Sequence, residues 1–154
     1  MTRTAFVCLL ITGILCFTAG NSEGYPTVDQ LDQYRKKVEY HQNDIVGIGD
    51  NLGCEYKSTV GILLMMTSEC VPKLIHLQDL VKIHSGLKSS VNQVSIDSMI
   101  KKRNDELSSY MMNSIEFINK MLSSIENKAL VFTVIQLRTD FRNLQEILED
   151  SPSK

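Results

Sequence analysis

The chain reads as an all-α protein: an up-and-down bundle of four antiparallel helices, or five if Pro72 divides the second, behind a cleavable leader. Three observations predict it. Apolar residues recur at intervals of three and four over four helix-sized segments. Leu, Ile, Val and Met carry the apolar load, while Trp is absent and aromatic residues make up only 6% of the chain, a composition that suits helices better than a β-sandwich. Short connections between the segments favour antiparallel neighbours.

The leader comes first. Met1-Thr2-Arg3-Thr4 carries one positive charge and no acid, and an apolar run from Ala5 to Phe17 follows, interrupted by Thr12 and Gly13. Thr18-Ala19-Gly20 then places small residues at the third and first positions before a cut after Gly20. That layout is a secretory signal peptide, so residues 1–20 are expected to be removed and residues 21–154 to form one domain outside the cytosol. The run falls short of the ~20 apolar residues of a membrane span, and no other stretch is expected to cross a bilayer. Residues 21–26 and 150–154 are expected to be short flexible ends, and the polar C-terminus shows neither a lipid-anchor signal nor an ER-retention tail.

Loss of Arg3 with the leader takes the 16 Lys+Arg to 15, against 18 Asp+Glu. The resulting net charge gives no general attraction to nucleic acid or to an anionic membrane. No Asn is followed at the second position by Ser or Thr, so N-glycosylation is not expected.

The first helix should open on Thr27-Val28-Asp29-Gln30, which has capping-box spacing. Leu31, Tyr34, Val38, His41 and Ile45 lie on one face of it. Gly47, Gly49 and Gly53, with Asp50-Asn51, should end it near residue 46 in a loop. A phosphate cradle there would need a preceding strand and a following Gly-Lys-Ser/Thr, and both are missing.

The second segment, about 55–84, keeps one stripe through Tyr56, Val60, Leu63, Thr67, Cys70 or Val71, Leu74, Leu77 and Val81. Pro72 cannot donate its backbone bond, which predicts two helices or one sharply bent, with the break at 67–71. Ser85-Gly86 should end this segment and 87–94 should be a loop.

Ser95 is expected to cap the third and longest helix, running to about residue 126, with Asp97 in its first turn. Its buried face is predicted as Ile96, Ile100, Leu107, Tyr110, Phe117, Met121 and Ile125, broadened by Met99, Met111, Ile118 and Leu122. The fourth helix carries Leu130, Val134, Leu137, Phe141, Leu144 and Leu148. Extending that stripe backwards meets Asn127, Ser123, Lys120 and Glu116, all polar, so the chain should turn near Asn127.

Cys8 and Cys16 leave with the leader, and Cys54 and Cys70 remain. In an oxidising compartment an even pair reads first as one disulfide. A straight helix from 54 to 70 would hold the two Cα atoms ~24 Å apart, and a disulfide needs them within about 7 Å. Either the segment folds back, with Gly61 as hinge, or the thiols bond to other chains, or they stay free. A redox pair would more often come as Cys-x-x-Cys.

Chemistry is sparse. His41, His76 and His84 have no second ligand at metal spacing. Gly-x-Ser-x-Gly is absent, and the acids Glu146, Glu149 and Asp150 fit a solvated end. No catalytic residue, cofactor or metal is therefore expected. Met65, Met66, Met99, Met111, Met112 and Met121 lie on or beside apolar stripes, ordinary core filler or an adaptable cavity wall. If the bundle held a small hydrophobic ligand, Leu63, Met66, Met111, Phe117, Met121 and Phe141 would be candidates to line its site. The expectation from all this is a secreted, non-enzymatic protein that binds another extracellular protein or receptor, with a carrier of a small hydrophobic molecule or lipid as the alternative.

Overall fold

The computed structural model describes residues 24–87 and 90–150. The predicted leader, with Cys8 and Cys16, and residues 151–154 lie outside them. Among the described residues are four long helices and no strand: α1 (Val28–Gly49), α2 (Lys57–Gly86), α3 (Ser90–Leu122) and α4 (Lys128–Glu149), with a 3-10 turn at Cys54–Tyr56 before α2.

Each helix packs on the next, and α4 closes against α1. Cross-helix bonds give the directions. Gln78 of α2 donates to the Val28 carbonyl at the start of α1, and Gln42 further along α1 donates to Ser68 nearer the start of α2. Tyr110 of α3 donates to the Met66 carbonyl, while His84 meets Asp97 at 3.0 Å. Asn104, early in α3, donates to the Leu148 carbonyl near the end of α4, and Arg138 donates to Asn119. Every neighbouring pair is antiparallel, as expected for an up-and-down bundle.

The stripes of α1 and α4 are those predicted. Leu31, Tyr34, Val38, His41 and Ile45 are buried, as are Leu130, Val134, Leu137, Phe141, Leu144 and Leu148. The capping box is formed: Thr27 Oγ1 accepts from the Gln30 amide at 3.2 Å, and Gln30 Oε1 accepts from the Thr27 amide at 2.8 Å. Asn127 Oδ1 accepts from the Leu130 amide at 3.0 Å, capping α4 where the turn was expected.

Elsewhere the structure departs from expectation. α1 runs on through Gly47 to Gly49, where α2 comes close: a Cβ on Gly49 would lie 2.8 Å from Val60 Cγ1, whereas one on Gly47 would meet open space. α2 is one continuous helix through Pro72, with neither a break at 67–71 nor a hinge at Gly61. Leu63, Thr67, Cys70, Leu74 and Leu77 are buried on both sides of the proline, so both halves of the helix share one core. Pro72 itself is exposed, and the Ser68 carbonyl that it leaves without a helical donor belongs to an exposed residue within reach of water.

Continuity of α2 also removes the intramolecular disulfide. Cys54 sits exposed in the 3-10 turn, Cys70 is buried in the helix, and both are free thiols.

α3 begins at Ser90 rather than Ser95, so the connection from α2 is shorter than predicted. Ile100, Leu107, Met111, Ile118 and Met121 are buried as predicted, and Asn104 and Ser114 join them. Ile125, just past the helix end, is buried too, whereas Phe117 and Met99 are 42% and 50% exposed.

Candidate interaction surface

The N-terminal half of α2 is apolar nearly all round, yet a helix in a four-membered bundle can bury only one face. Leu63, Met66, Cys70, Leu74, Leu77 and Leu80 fill the inward face. Apolar residues remain on the other side. Met65 is 55% exposed and Ile83 50%, while Ile62, Leu64 and Val71 are half-buried. The span Cys54–Gly86 is also long and apolar enough, by length and composition, to cross a membrane, which corrects the expectation that no such stretch follows the leader. Core helices share that composition, and Leu74, Leu77 and Leu80 are in the common core.

The N-terminal half of this outward face is its least polar part. Between Lys57 and Glu69 there is no charged residue, only Ser-Thr-Val-Gly-Ile-Leu-Leu-Met-Met-Thr-Ser. Beside it a cleft of about 280 Å3 opens between the end of α1 and the start of α2, walled mainly by Val46, Leu52, Tyr56, Val60, Gly61 and Leu64, with the charged Asp50 and Lys57 also in its lining. Gly61 leaves open space where a Cβ would stand. The face is thus a shallow apolar hollow beside a projecting methionine.

The flank toward α3 is anchored. Tyr110 Oη donates to the Met66 carbonyl at 2.8 Å, and Lys73 Nζ stands 5.2 Å from the centre of the Tyr110 ring. Burial, and then the nearby Glu69 carboxylate, raise the Tyr110 hydroxyl pKa, so it stays a donor. Next to it a wide open groove of about 780 Å3 mixes Lys73, Lys101 and Lys102 with Asp105 and Glu106. Its charges are of both signs, which favours no single class of ligand.

Of the six residues predicted to line a ligand site, Leu63, Met66, Met111, Met121 and Phe141 meet in the common core. Phe117 lies on the surface instead. None of the six lines either cleft. Burial pushes the Cys70 thiol up to about 12, so it is a neutral core group. Among the described residues no group of three His, Cys, Asp or Glu side chains is placed to hold a metal ion. Sequence reasoning sorted apolar residues into stripes and so missed the α2 face; the signal was an excess of apolar positions between 57 and 72, more than one face can bury.

Compared with protein-family models, with curated proteins and with solved structures, the chain has no match.

Proposed function

We propose that the protein is exported and acts by binding another protein through the outward face of α2, without chemistry of its own. The observation that carries this reading is the uncharged run from Ser58 to Ser68, with Gly61 and Met65 exposed at its centre. Apolar surface left in water on a helix that is otherwise core-forming favours burial against a partner, by ~25 cal/mol for each Å2 covered. The leader-like residues 1–20 support export. The carrier alternative draws no support from the two clefts, because five of its candidate residues belong to the packed core and the sixth, Phe117, lies on the surface away from both.

A photo-crosslinking residue at Met65 tests the docking face, with the exposed Arg142 of α4 as the control position. The expected result is a protein adduct from Met65 and none from Arg142. Equal labelling, or none, would sink the reading. Intact mass of the exported product tests the leader, and the expected N-terminus is Asn21.

A further inference from the structure

The outward face of α2 has a symmetry of its own, and we infer that the face mates with the α2 of a second copy of this chain, laid antiparallel with a two-fold axis level with Leu63. This inference rests on the reading of that face as a docking surface, and it names the partner.

Residues 57–69 read Lys-Ser-Thr-Val-Gly-Ile-Leu-Leu-Met-Met-Thr-Ser-Glu. Counted outward from Leu63 in both directions, Ile62 matches Leu64, Thr59 matches Thr67 and Ser58 matches Ser68. The outermost pair, Lys57 and Glu69, is opposite in charge. Two helices crossing antiparallel at Leu63 bring the exposed positions level with their mirrors, Ser58 with Ser68, Gly61 with Met65 and Lys57 with Glu69, while Leu63 and Thr67 stay buried in their own bundle. A two-fold contact uses the same patch on both copies, so it needs this self-complementarity.

Shape follows the same symmetry. Gly61 and Met65 are mirror positions. Met65 projects, being 55% exposed, while Gly61 helps wall the 280 Å3 cleft and has open space above it. In the paired arrangement Met65 of each copy stands over Gly61 of the other, and an unbranched thioether conforms to such a hollow. The interaction occurs twice.

The charges at the ends lie on the surface, with Glu69 also close to the Tyr110 hydroxyl. Lys57 and Glu69 are both exposed, and neither is in an ion pair among the described residues. Both side chains are long enough to close across the seam at its rim. The centre is uncharged and its ends carry complementary charge, so the contact has one preferred register. A register slipped by a turn would set Lys57 against Met65 or Met66 in one direction, and against Pro72 or Lys73 in the other, and would lose its pairing with Glu69.

A seam of thirteen helical residues is only about 18 Å long, which puts it among small interfaces and its dissociation constant near the micromolar range. Sedimentation velocity on residues 21–154, from low to high micromolar, reads it directly. Lys57→Glu sets like charge against Glu69 of the second copy, and Glu69→Lys does the converse against Lys57. Each is expected to weaken association by about tenfold or more. The double swap Lys57→Glu with Glu69→Lys is expected to restore it to within about threefold of the parent. Lys57→Glu places an acid in the first turn of α2, which favours the helix, so a loss of association there is not a loss of fold. Met65→Lys should abolish association.

Dimers that ignore the single reversals, or reversals that the double swap does not rescue, would overturn the inference. A monomer at all concentrations whose Met65 crosslinks to a different chain would overturn it too, and would leave the docking face standing. A monomer with no Met65 adduct would remove both.

Discussion

His41 Nε2 lies 2.9 Å from Asp140 Oδ2, and Lys37 Nζ lies 2.8 Å from Oδ1 of the same carboxylate. Two residues one turn apart on α1 therefore hold a single acid of α4. His41 is buried and the Asp140 side chain is only 15% exposed, so water screens this contact less than the surface pairs. Asp140→Asn should cost about 1–3 kcal/mol, below the cost of breaking a fully buried pair because Lys37 stays half-exposed. Urea denaturation measures it. A cycle with Lys37→Met separates the two arms, and a coupling of Lys37 to Asp140 near zero would assign the effect to His41.

Phe141 and Phe117 were paired by the sequence as candidate ligand contacts, and the structure separates them. Phe141 is fully buried at the centre of α4, whereas Phe117 is 42% exposed. Phe141→Ala should destabilise by about 3–5 kcal/mol through lost transfer energy and a cavity. Phe117→Ala should cost under about 1 kcal/mol. Thermal or urea melts compare them, and similar losses at the two positions would contradict the surface placement of Phe117 on α3.

The thiols should behave differently. In residues 21–154, a thiol reagent should titrate one group in the native protein, Cys54, and two after denaturation. Cys70 is buried and its thiol is pushed up to about 12, which leaves almost no thiolate at pH 8. No fast thiol would mean that Cys54 is oxidised or bonded to another molecule. Two fast thiols would mean that α2 opens around Cys70.

Acid should act on α1 through Asp32. Hydrogen bonds from Lys36 and then from Arg35 hold this carboxyl down to about 2, against an ordinary 3.8. Its folded pKa lies below its unfolded one, so the unfolded chain binds more protons between these values. The stabilisation is complete above about pH 4 and is lost as pH falls through about 2. The site is on the surface, so the amplitude should be small. A carboxyl-detected NMR titration should give a midpoint near 2, and Asp32→Asn should flatten that part of the stability curve. A midpoint near 4 would show that the two bonds do not persist in solution.

How much of this was legible in the sequence differs by helix. α1 and α4 could be read outright because their core positions are almost all apolar and their caps are unambiguous. α3 could not, because Asn104 and Ser114 occupy core positions. With those two polar, a stripe drawn through Tyr110 and Phe117 looks better than the true one. Asn104 is inside because its amide donates to the Leu148 carbonyl at 2.7 Å, serving a helix end that lacks a donor of its own. In α2, local chemistry at Pro72 argued for a break, and packing of Leu63, Thr67, Cys70, Leu74 and Leu77 overrode it. The disulfide expectation followed from compartment alone, and one uninterrupted helix was enough to undo it. The outward α2 face was hidden for another reason: periodicity finds what is buried and is silent about apolar residues in surplus.

The four inward stripes share one arithmetic. Leu31, Tyr34, Val38, His41 and Ile45 advance by three and four, as do Leu63, Thr67, Cys70, Leu74 and Leu77, and the stripes of α3 and α4 do the same. Each pattern therefore repeats every seven residues, slightly short of two full turns, and helices that keep such a seam wind gently left-handed about one another. Removal of a single residue inside any helix would turn everything beyond it by ~100° and present the wrong face to both neighbours. Lengths between the turns are thus quantised. The bundle can grow or shrink freely at its connections, but within its helices only in steps of seven.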